Sequence, residues 1–162
     1  MKKPKMNTER PEFMNIFANE MPPFMLARTS FLLHKVGIRM IDLFEEALAP
    51  LHIKPPHFMV MAVLSMEHPS SQIDIGDKVS FDRNKMVNIV DELEQLGLAK
   101  REMNPKDRRA KAVCLTDAGR AAFETALKLE RAVEDQVLSG LTPQQRKQLQ
   151  DLLKALATAK AK

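Results

Sequence analysis

The sequence is poor in the residues that build disulfide frameworks, glycine loops and aromatic cores. Its 162 residues include one cysteine, five glycines, no tryptophan and no tyrosine. The single cysteine, Cys114, excludes an intramolecular disulfide and is typical of a reducing compartment. No phosphate-binding glycine loop, nucleophile elbow or His-Glu metal motif is present. These absences predict a protein that is not an enzyme and that needs no cofactor.

Two further absences bear on where the chain works. No segment approaches the roughly 20 apolar residues of a membrane span. The lysines near the start are followed by polar residues and a proline instead of the apolar core of an export signal. We therefore expect a cytoplasmic protein without a membrane partner. The four histidines are scattered and lack the local spacing of a zinc motif, so no metal site is predicted.

Positive charge is concentrated in one part of the chain. The net charge is +4, and the segment from Lys78 to Lys111 holds nine Lys or Arg and six Asp or Glu. About a fifth of the chain thus carries +3 of the total. A local excess of this kind is typical of a surface that contacts nucleic-acid phosphates, although a solvated basic face has the same composition.

Apolar residues at helical spacing predict the first elements. The pattern from Phe24 to Leu48 predicts one long helix that Pro50 stops. A second helix opens at Pro55 and is apolar on nearly every face, so we expect it to be buried. The segment from Gln72 to Val79 predicts a short helix. The polar, proline-interrupted residues 1–21 predict a flexible arm.

An amphipathic helix is predicted from Arg83 to Leu96. Asp82 is placed to accept from the unpaired amides of its first turn, and Gly97 is placed to end it. One face of this helix is apolar and the opposite face begins with polar and cationic residues. The apolar face consists of Met86, Val90 and Leu93.

A β-hairpin and two more helices complete the prediction. Strands over 98–103 and 111–115 flank a charged turn over 104–109. Thr116 starts a long helix toward Ser139-Gly140, and Thr142 with Gln145 forms a capping box for the last helix. The expected core stripe of that last helix consists of Leu149, Leu152, Leu153 and Leu156.

The elements together predict a mainly α fold with a small β-hairpin wing. We divide it into a flexible arm over 1–21, a long helical segment over 22–54, a winged helix-turn-helix DNA-binding lobe over 55–116 and C-terminal helices over 117–162. A recognition helix enters the major groove by its N-terminal residues, which should therefore be hydrogen-bond donors. Arg83, Asn84, Lys85 and Asn88 meet this requirement.

The tip of the hairpin supplies a second cationic point. Lys106, Arg108 and Arg109 lie there, and a narrow minor groove concentrates negative potential that attracts an arginine. The later residues of the preceding helix, Asp91, Glu92 and Glu94, are acidic and would be repelled by phosphates. Only the first half of the helix and the wing are therefore expected to approach DNA.

The run from Asp91 to Arg120 resembles the MarR family of bacterial regulators. The matching residues are Leu93, Leu96-Gly97-Leu98, Asp107-Arg108-Arg109, Leu115-Thr116 and Gly119. The resemblance implies a homodimer that reads a palindromic operator in double-stranded DNA. Its intertwined helices would be the N-terminal dimerisation helix over 22–54 and the C-terminal dimerisation helices over 117–162. It implies that Arg109 enters the minor groove and that Asp107 orients the wing by pairing with an arginine. Arg83-Asn84-Lys85 and Ser80 depart from the family pattern, so the operator sequence cannot be carried over.

The resemblance also implies a repressor that is released by a small aromatic acid or thioester. Methionine-rich helices offer adaptable apolar walls for such a ligand, and a carboxylate requires a donor beside them. The candidate contacts are Arg28, Ser30, His34, His57 and Met61. An isolated histidine on a helix is nevertheless more often a packed or surface residue.

Two alternative functions stay open at this point. The chain could be a helical adaptor that binds another protein through its leucine stripes without reading DNA. It could also sense oxidants through Cys114, which requires an accessible thiolate with a lowered pKa. The position of Cys114 inside a strand favours a small packed side chain instead.

Overall fold

A computed structural model of the chain describes residues 23–66, 71–104 and 107–159, with the backbone alone at residues 23, 104 and 107–110. The chain divides into two compact units, Met1–Ile38 and Arg39–Lys162. The described elements are seven α-helices and one two-stranded sheet. They are α1 Pro23–Leu26, α2 Thr29–Leu48, a 3-10 turn Ala49–Leu51, α3 Pro55–Met66, α4 Gln72–Val79, α5 Arg83–Gln95, β1 Ala99–Asn104, β2 Asp107–Leu115, α6 Asp117–Val137 and α7 Pro143–Thr158.

The expected single helix from Phe24 to Leu48 is wrong in its first turns. The structure has the short α1, then a break at Ala27 and Arg28, and then α2. The amide of Arg28 donates to the carbonyl of Met25 in a closing turn, and the carbonyl of Arg28 accepts from Phe31 and Leu32 to begin the next helix. Thr29 and Ser30 follow the break, and hydroxyl side chains compete with the helix for backbone hydrogen bonds.

The core of the second unit surrounds α3 and α5. Val60 and Met61 of α3 are fully buried, and Leu93 of α5 is buried with them. The confirmed apolar face of α5 includes Ile89 in addition to the three predicted residues. Phe58 joins α2 to α6 through rings, because it lies edge-on to Phe44 at 5.0 Å and stacks on Phe123 at 5.5 Å. This packing fixes α5 by its inner face and leaves its outer face available.

A tight turn joins α4 to α5. Ser80 ends α4 in the left-handed conformation with φ 57°, and its amide donates to the carbonyl of Gly76. A Cβ at Gly76 would lie 3.0 Å from Cγ of Met86 and 3.1 Å from the carbonyl oxygen of Phe81, so glycine allows the two helices to cross closely. Asp82 caps α5 as predicted, with Oδ1 accepting from the amide of Lys85 at 2.9 Å.

A Schellman motif ends α5 and leads into the hairpin. Gly97 has φ 71°, its amide donates to the carbonyl of Glu94, and the amide of Leu98 donates to the carbonyl of Leu93. Strands β1 and β2 pair antiparallel, with Ala99 opposite Leu115 and a register shift after Met103. The predicted turn over 104–109 is too long, because β2 already starts at Asp107.

The base of the hairpin is packed against the start of α6. Thr116 caps α6 through an acceptor contact from the amide of Gly119 at 3.0 Å, and its hydroxyl donates to the carbonyl of Gly97 at 2.7 Å. A Cβ at Gly119 would lie 1.9 Å from the carbonyl oxygen of Leu98, so no side chain fits there. The hairpin and α6 are therefore joined without a flexible linker.

The last helix differs from the prediction in its burial. The capping box of Thr142 and Gln145 is confirmed, and Arg146 donates to the carbonyl of Leu138 at the end of α6. The expected core stripe is wrong for the single chain. Leu152 and Leu156 are 63% and 64% exposed, and α7 has no buried residue. Within residues 23–66, 71–104 and 107–159, no helix combines the length and apolar character of a membrane span.

Candidate nucleic-acid interface

The first turns of α5 present the side chains that the sequence predicts to meet DNA. Arg83, Asn84 and Asn88 are exposed, and Lys85 is half-buried. Met86, on the other face, is buried at 1% exposure and anchors the helix in the core. The N-terminus of α5 is exposed, and the positive end of its helix dipole lies beside these cationic and amide groups, offset in part by the Asp82 carboxylate that caps it.

Lys85 is held by an aromatic ring. Its Nζ lies 3.9 Å from the centroid of Phe81, within the range of a cation–π contact. Phe81 belongs to the turn between α4 and α5, and its amide donates to the carbonyl of Gly76. The turn therefore orients one of the predicted DNA-contacting cations as well as connecting the two helices.

The acidic second half of α5 is tied to α3 by a buried histidine. His57 is 3% exposed, its Nδ1 accepts from the amide of Lys54 at 2.9 Å, and its Nε2 lies 2.8 Å from Oε2 of Glu92. Because Nδ1 accepts, Nε2 carries the hydrogen that is donated to Glu92. Burial lowers the pKa of His57, while the hydrogen bond and charge of Glu92 act in the opposite direction. The neutral imidazole therefore joins the two helices.

The same half of α5 is tied to the hairpin by Arg101. Its guanidinium Nη1 lies 2.7 Å from Oδ1 of Asp91 and also pairs with Oε2 of Glu94. Its backbone amide donates to Oε1 of Glu94 at 2.7 Å. The Arg101 side chain is 19% exposed, so these contacts are less screened than those of a surface pair. Asp91 and Glu94, the first and last acidic residues of this segment, are thus both paired with the hairpin.

The wing residues lie at the far end of the hairpin. Lys106 falls outside the described residues, and Asp107, Arg108 and Arg109 are the first three residues of β2, described by their backbone. Their placement on β2 is continuous with Lys111, which is exposed. The roles of Arg109 in the minor groove and of Asp107 in orienting the wing stay predictions.

The candidate effector residues fall into two groups. Arg28, Ser30 and His34 are exposed in the first unit, while His57 and Met61 are buried in the core of the second. His57 already has a hydrogen-bond partner at each ring nitrogen. Its burial and partners are those of a packed core histidine, and the ligand role of all five residues stays a prediction.

Cys114 does not have the surroundings of a reactive thiol. It lies in β2, and its Sγ donates to the carbonyl of Lys100 at 3.8 Å. Burial and the nearby Glu102 carboxylate raise the pKa of the thiol, which outweighs the opposite effect of the Lys100 ammonium. A raised pKa reduces the thiolate fraction that oxidants attack. Among the described residues, no group of His, Cys, Asp and Glu side chains is arranged to hold a metal ion.

Two functional contacts were not foreseen from the sequence. The acidic residues of α5 were interpreted only as groups that repel phosphate, and Arg101 was counted only as one more positive charge. Arg101 follows Glu94 by seven residues across a helix end and a glycine turn, so no periodic pattern marks the pair. Glu92 and His57 are 35 residues apart. The sequence carried no local signal for either contact, because each one depends on how separate elements pack.

The geometry defines a winged helix-turn-helix protein. Helices α4 and α5 cross at a tight turn, α5 exposes cationic and amide side chains at its N-terminus, and a two-stranded hairpin follows directly. Residues 53–110 of the chain match the sequence model of the MarR family.

Known proteins with the same features extend this result over most of the chain. The HTH-type transcriptional repressor Rv2887 of Mycobacterium tuberculosis H37Rv is 27% identical over 132 residues, which is 82% of this chain and 95% of that protein. The crystal structure of CouR from Rhodococcus jostii RHA1 bound to p-coumaroyl-CoA has a TM-score of 0.73 at 25% identity, covering 87% of this chain and 99% of that one.

A structure of CouR bound to a 23-mer DNA duplex has a TM-score of 0.76 at 28% identity, covering 86% of this chain and 99% of that one. Wild-type MarR of Escherichia coli has a TM-score of 0.70 at 26% identity over 85% of this chain and 98% of that one. Residues 53–110 belong to the MarR family, and over most of its length the chain is similar to transcriptional regulators of that family. It is a regulator of transcription and not an enzyme.

Proposed function

We propose that the protein is a repressor that binds a palindromic operator as a homodimer and releases it on binding a small aromatic carboxylate or thioester. In this proposal Arg83, Asn84, Lys85 and Asn88 contact the major groove. The wing residues Lys106, Arg108 and Arg109 contact the flanking DNA, with Arg109 in the minor groove and Asp107 orienting the wing.

The observation that carries the proposal is the exposure of Arg83, Asn84 and Asn88 on a helix whose opposite face is buried. Arginine and lysine suit guanine edges, and asparagine suits adenine, so these residues can read sequence as well as bind phosphates. The DNA-bound structure of the similar repressor CouR supports a duplex as the partner.

The homodimer is supported by the unburied face of α7. A row of exposed leucines along one side of a helix is typical of a surface that another apolar surface covers. A second copy of the chain supplies such a surface with two-fold symmetry, and a symmetric pair of recognition helices reads a palindrome. We propose that residues 22–54 and 117–162 make the dimer contacts.

The experiment that tests DNA recognition is selection from a pool of random duplexes with the purified protein. We expect an enriched palindrome with half-sites one or more helical turns apart, and an affinity that falls steeply as salt rises. The matched control is a scrambled duplex of the same length and base composition. Equal affinity for both duplexes would reject sequence-specific recognition and favour the adaptor function.

The effector class is supported by the CouR structure with p-coumaroyl-CoA, an aromatic thioester. A thermal-shift series of aromatic carboxylates and their thioesters, followed by release of the selected duplex, tests it. We expect at least one member to raise the melting temperature and to weaken DNA binding at the same concentration. Stabilisation without DNA release would show a ligand that is not an effector.

A further inference from the structure

The contacts of Arg101 join the two parts of the interface that the proposed function brings to DNA. The guanidinium reaches Asp91 and Glu94 on α5, and the backbone amide of the same residue reaches Glu94 again. Strand β1 is thus fixed to α5 through both the main chain and the side chain of one residue. Because the backbone amide and the guanidinium of Arg101 both contact α5, each contact limits rotation of the strand about the other.

We propose that Arg101, with Asp91 and Glu94, is a positioning clasp that sets the place of the wing relative to the recognition helix. This inference rests on the proposed contact of Arg109 with DNA. Arg101 itself is 19% exposed and its donors are directed at carboxylates within the lobe, so it acts through the wing and not by touching DNA.

The geometry of the hairpin determines how far a change at the clasp would move the wing. Arg101 is paired with Val113 across the sheet, and Arg109 precedes Val113 by four residues on β2. At the rise of a β-strand this is about 13 Å, so a tilt of about 10° at Arg101 displaces the backbone of Arg109 by about 2 Å. The minor groove is only about 6 Å wide, and a shift of that size misplaces an inserted side chain.

The clasp also gives a role to the acidic half of α5. Asp91 and Glu94 would repel phosphates if they were unpaired, and the single positive charge of Arg101 offsets one of their two negative charges while both carboxylates hold the strand. Lys100, the preceding residue of β1, provides the contrast. Its Nζ pairs with Glu102 on the same strand at 3.1 Å and makes no link to α5 in the described part of the chain.

The test is a double-mutant cycle with the palindromic duplex obtained by selection, at constant salt. Arg101→Met and the control Lys100→Met each remove one positive charge from β1, and each is measured alone and combined with Arg109→Ala. We expect Arg101→Met to weaken binding about tenfold alone and less than about twofold in the Arg109→Ala background. Lys100→Met should have the same effect in both backgrounds.

The clasp is overturned if Arg101→Met has the same effect in both backgrounds, or has none in either, because a general loss of charge or stability would behave in that way. If Arg101→Met does not fold by circular dichroism, the pair Asp91→Asn and Glu94→Gln takes its place in the cycle with the same expected coupling. If Arg109→Ala alone leaves the affinity unchanged, the wing contact in the proposed function is wrong, and the clasp loses its role in DNA binding with it.

Discussion

Helices α5 and α7 each carry a stripe of apolar residues, but the stripe of α5 is buried and the stripe of α7 is exposed. In α5, Met86, Val90 and Leu93 are 1% exposed or less. In α7, Leu152 and Leu156 are more than half exposed, although that helix has the complete capping box. Good capping and apolar periodicity therefore define a helix in both cases without determining what covers its apolar face.

The two helices therefore differ in what stabilises them within the second unit. The core formed around α3 and α5 is complete within one chain, so it can hold the side chains that we propose to read DNA in a fixed position. Helix α7 is tied to the end of α6 by Arg146, whose guanidinium lies 2.5 Å from Oδ1 of Asp135, and its leucines stay outside. Stability of the lobe is thus expected to be a property of the single chain, and stability of α7 a property of the dimer.

The largest effect is expected from truncating the stripe of α5. Leu93→Ala removes a fully buried side chain and leaves a cavity in the core, so the free energy of unfolding should fall by about 2 to 5 kcal/mol. Urea denaturation measures this. The control is Leu152→Ala in α7, whose cost should be smaller and should vary with protein concentration. Equal, concentration-independent costs would abolish the contrast between the helices.

The next effect concerns the stripe of α7. Leu152→Glu combined with Leu156→Glu puts like charges on the face that two copies are proposed to share, so the dimer should dissociate into monomers. Sedimentation at several concentrations should show the change, while circular dichroism shows the core of the lobe retained. The matched control places the same charges away from the leucine stripe, at the exposed Gln144 and Gln150. A variant that stays dimeric would remove α7 from the interface.

A smaller effect is expected from the histidine that ties α5 to α3. The folded state lowers the pKa of His57 below its ordinary value of 6.5, chiefly through burial. As the pH falls, the unfolded chain therefore takes up a proton first, and the stability present above about pH 6.5 is lost progressively until the folded imidazole also protonates. Urea denaturation between about pH 7.5 and about pH 5.5 should show this decrease.

Two variants separate His57 from the other titrating groups. His57→Gln should flatten the dependence of unfolding free energy on pH in this range, because glutamine does not titrate. His34→Gln replaces an exposed histidine and should leave the dependence as it is in the original chain. A slope that survives in His57→Gln would show that other groups produce it and that the buried link to Glu92 contributes nothing to it.

The smallest effect is expected at Cys114. Because burial raises the pKa of its thiol, alkylation by iodoacetamide near pH 7 should be slower than that of an unhindered cysteine, and Cys114→Ser should leave the affinity for DNA unchanged. The reaction can be followed by mass spectrometry of the intact protein. Fast oxidation by peroxide accompanied by release of DNA would restore the oxidant-sensing alternative.

Much of the fold could be predicted because its boundaries are encoded locally. Asp82, Gly97, Thr116 and Thr142 each act through backbone groups within a few residues, and the structure has each one at a helix end as expected. The break at Ala27 and Arg28 could not be predicted, since both residues are good helix formers and the local sequence does not forbid a continuous helix.

The candidate site was predictable in its outward part only. The exposure of Asn84 and Asn88 follows from an amphipathic pattern, which assigns both to the face opposite Met86, and that of Arg83 from its place as the first residue of the helix. The contacts of Arg101 with α5 and of His57 with Glu92 depend on how separate elements pack. Sequence spacing carries no information on such pairs. The acidic side chains of α5, which the sequence predicts to repel DNA, also hold α5 to α3 and to the hairpin.

The close approach of Gly119 to the carbonyl of Leu98 has a mechanical consequence. There is no room for even a methyl group between Gly119 and Leu98, so the start of α6 and the base of the hairpin are packed in direct contact. We expect them to move together as one rigid unit. In a symmetric pair of chains, the angle between the two α6 helices would then set the distance between the two copies of α5. A small molecule that altered this angle by a few degrees would change the half-site spacing the protein accepts without touching any residue that reads a base.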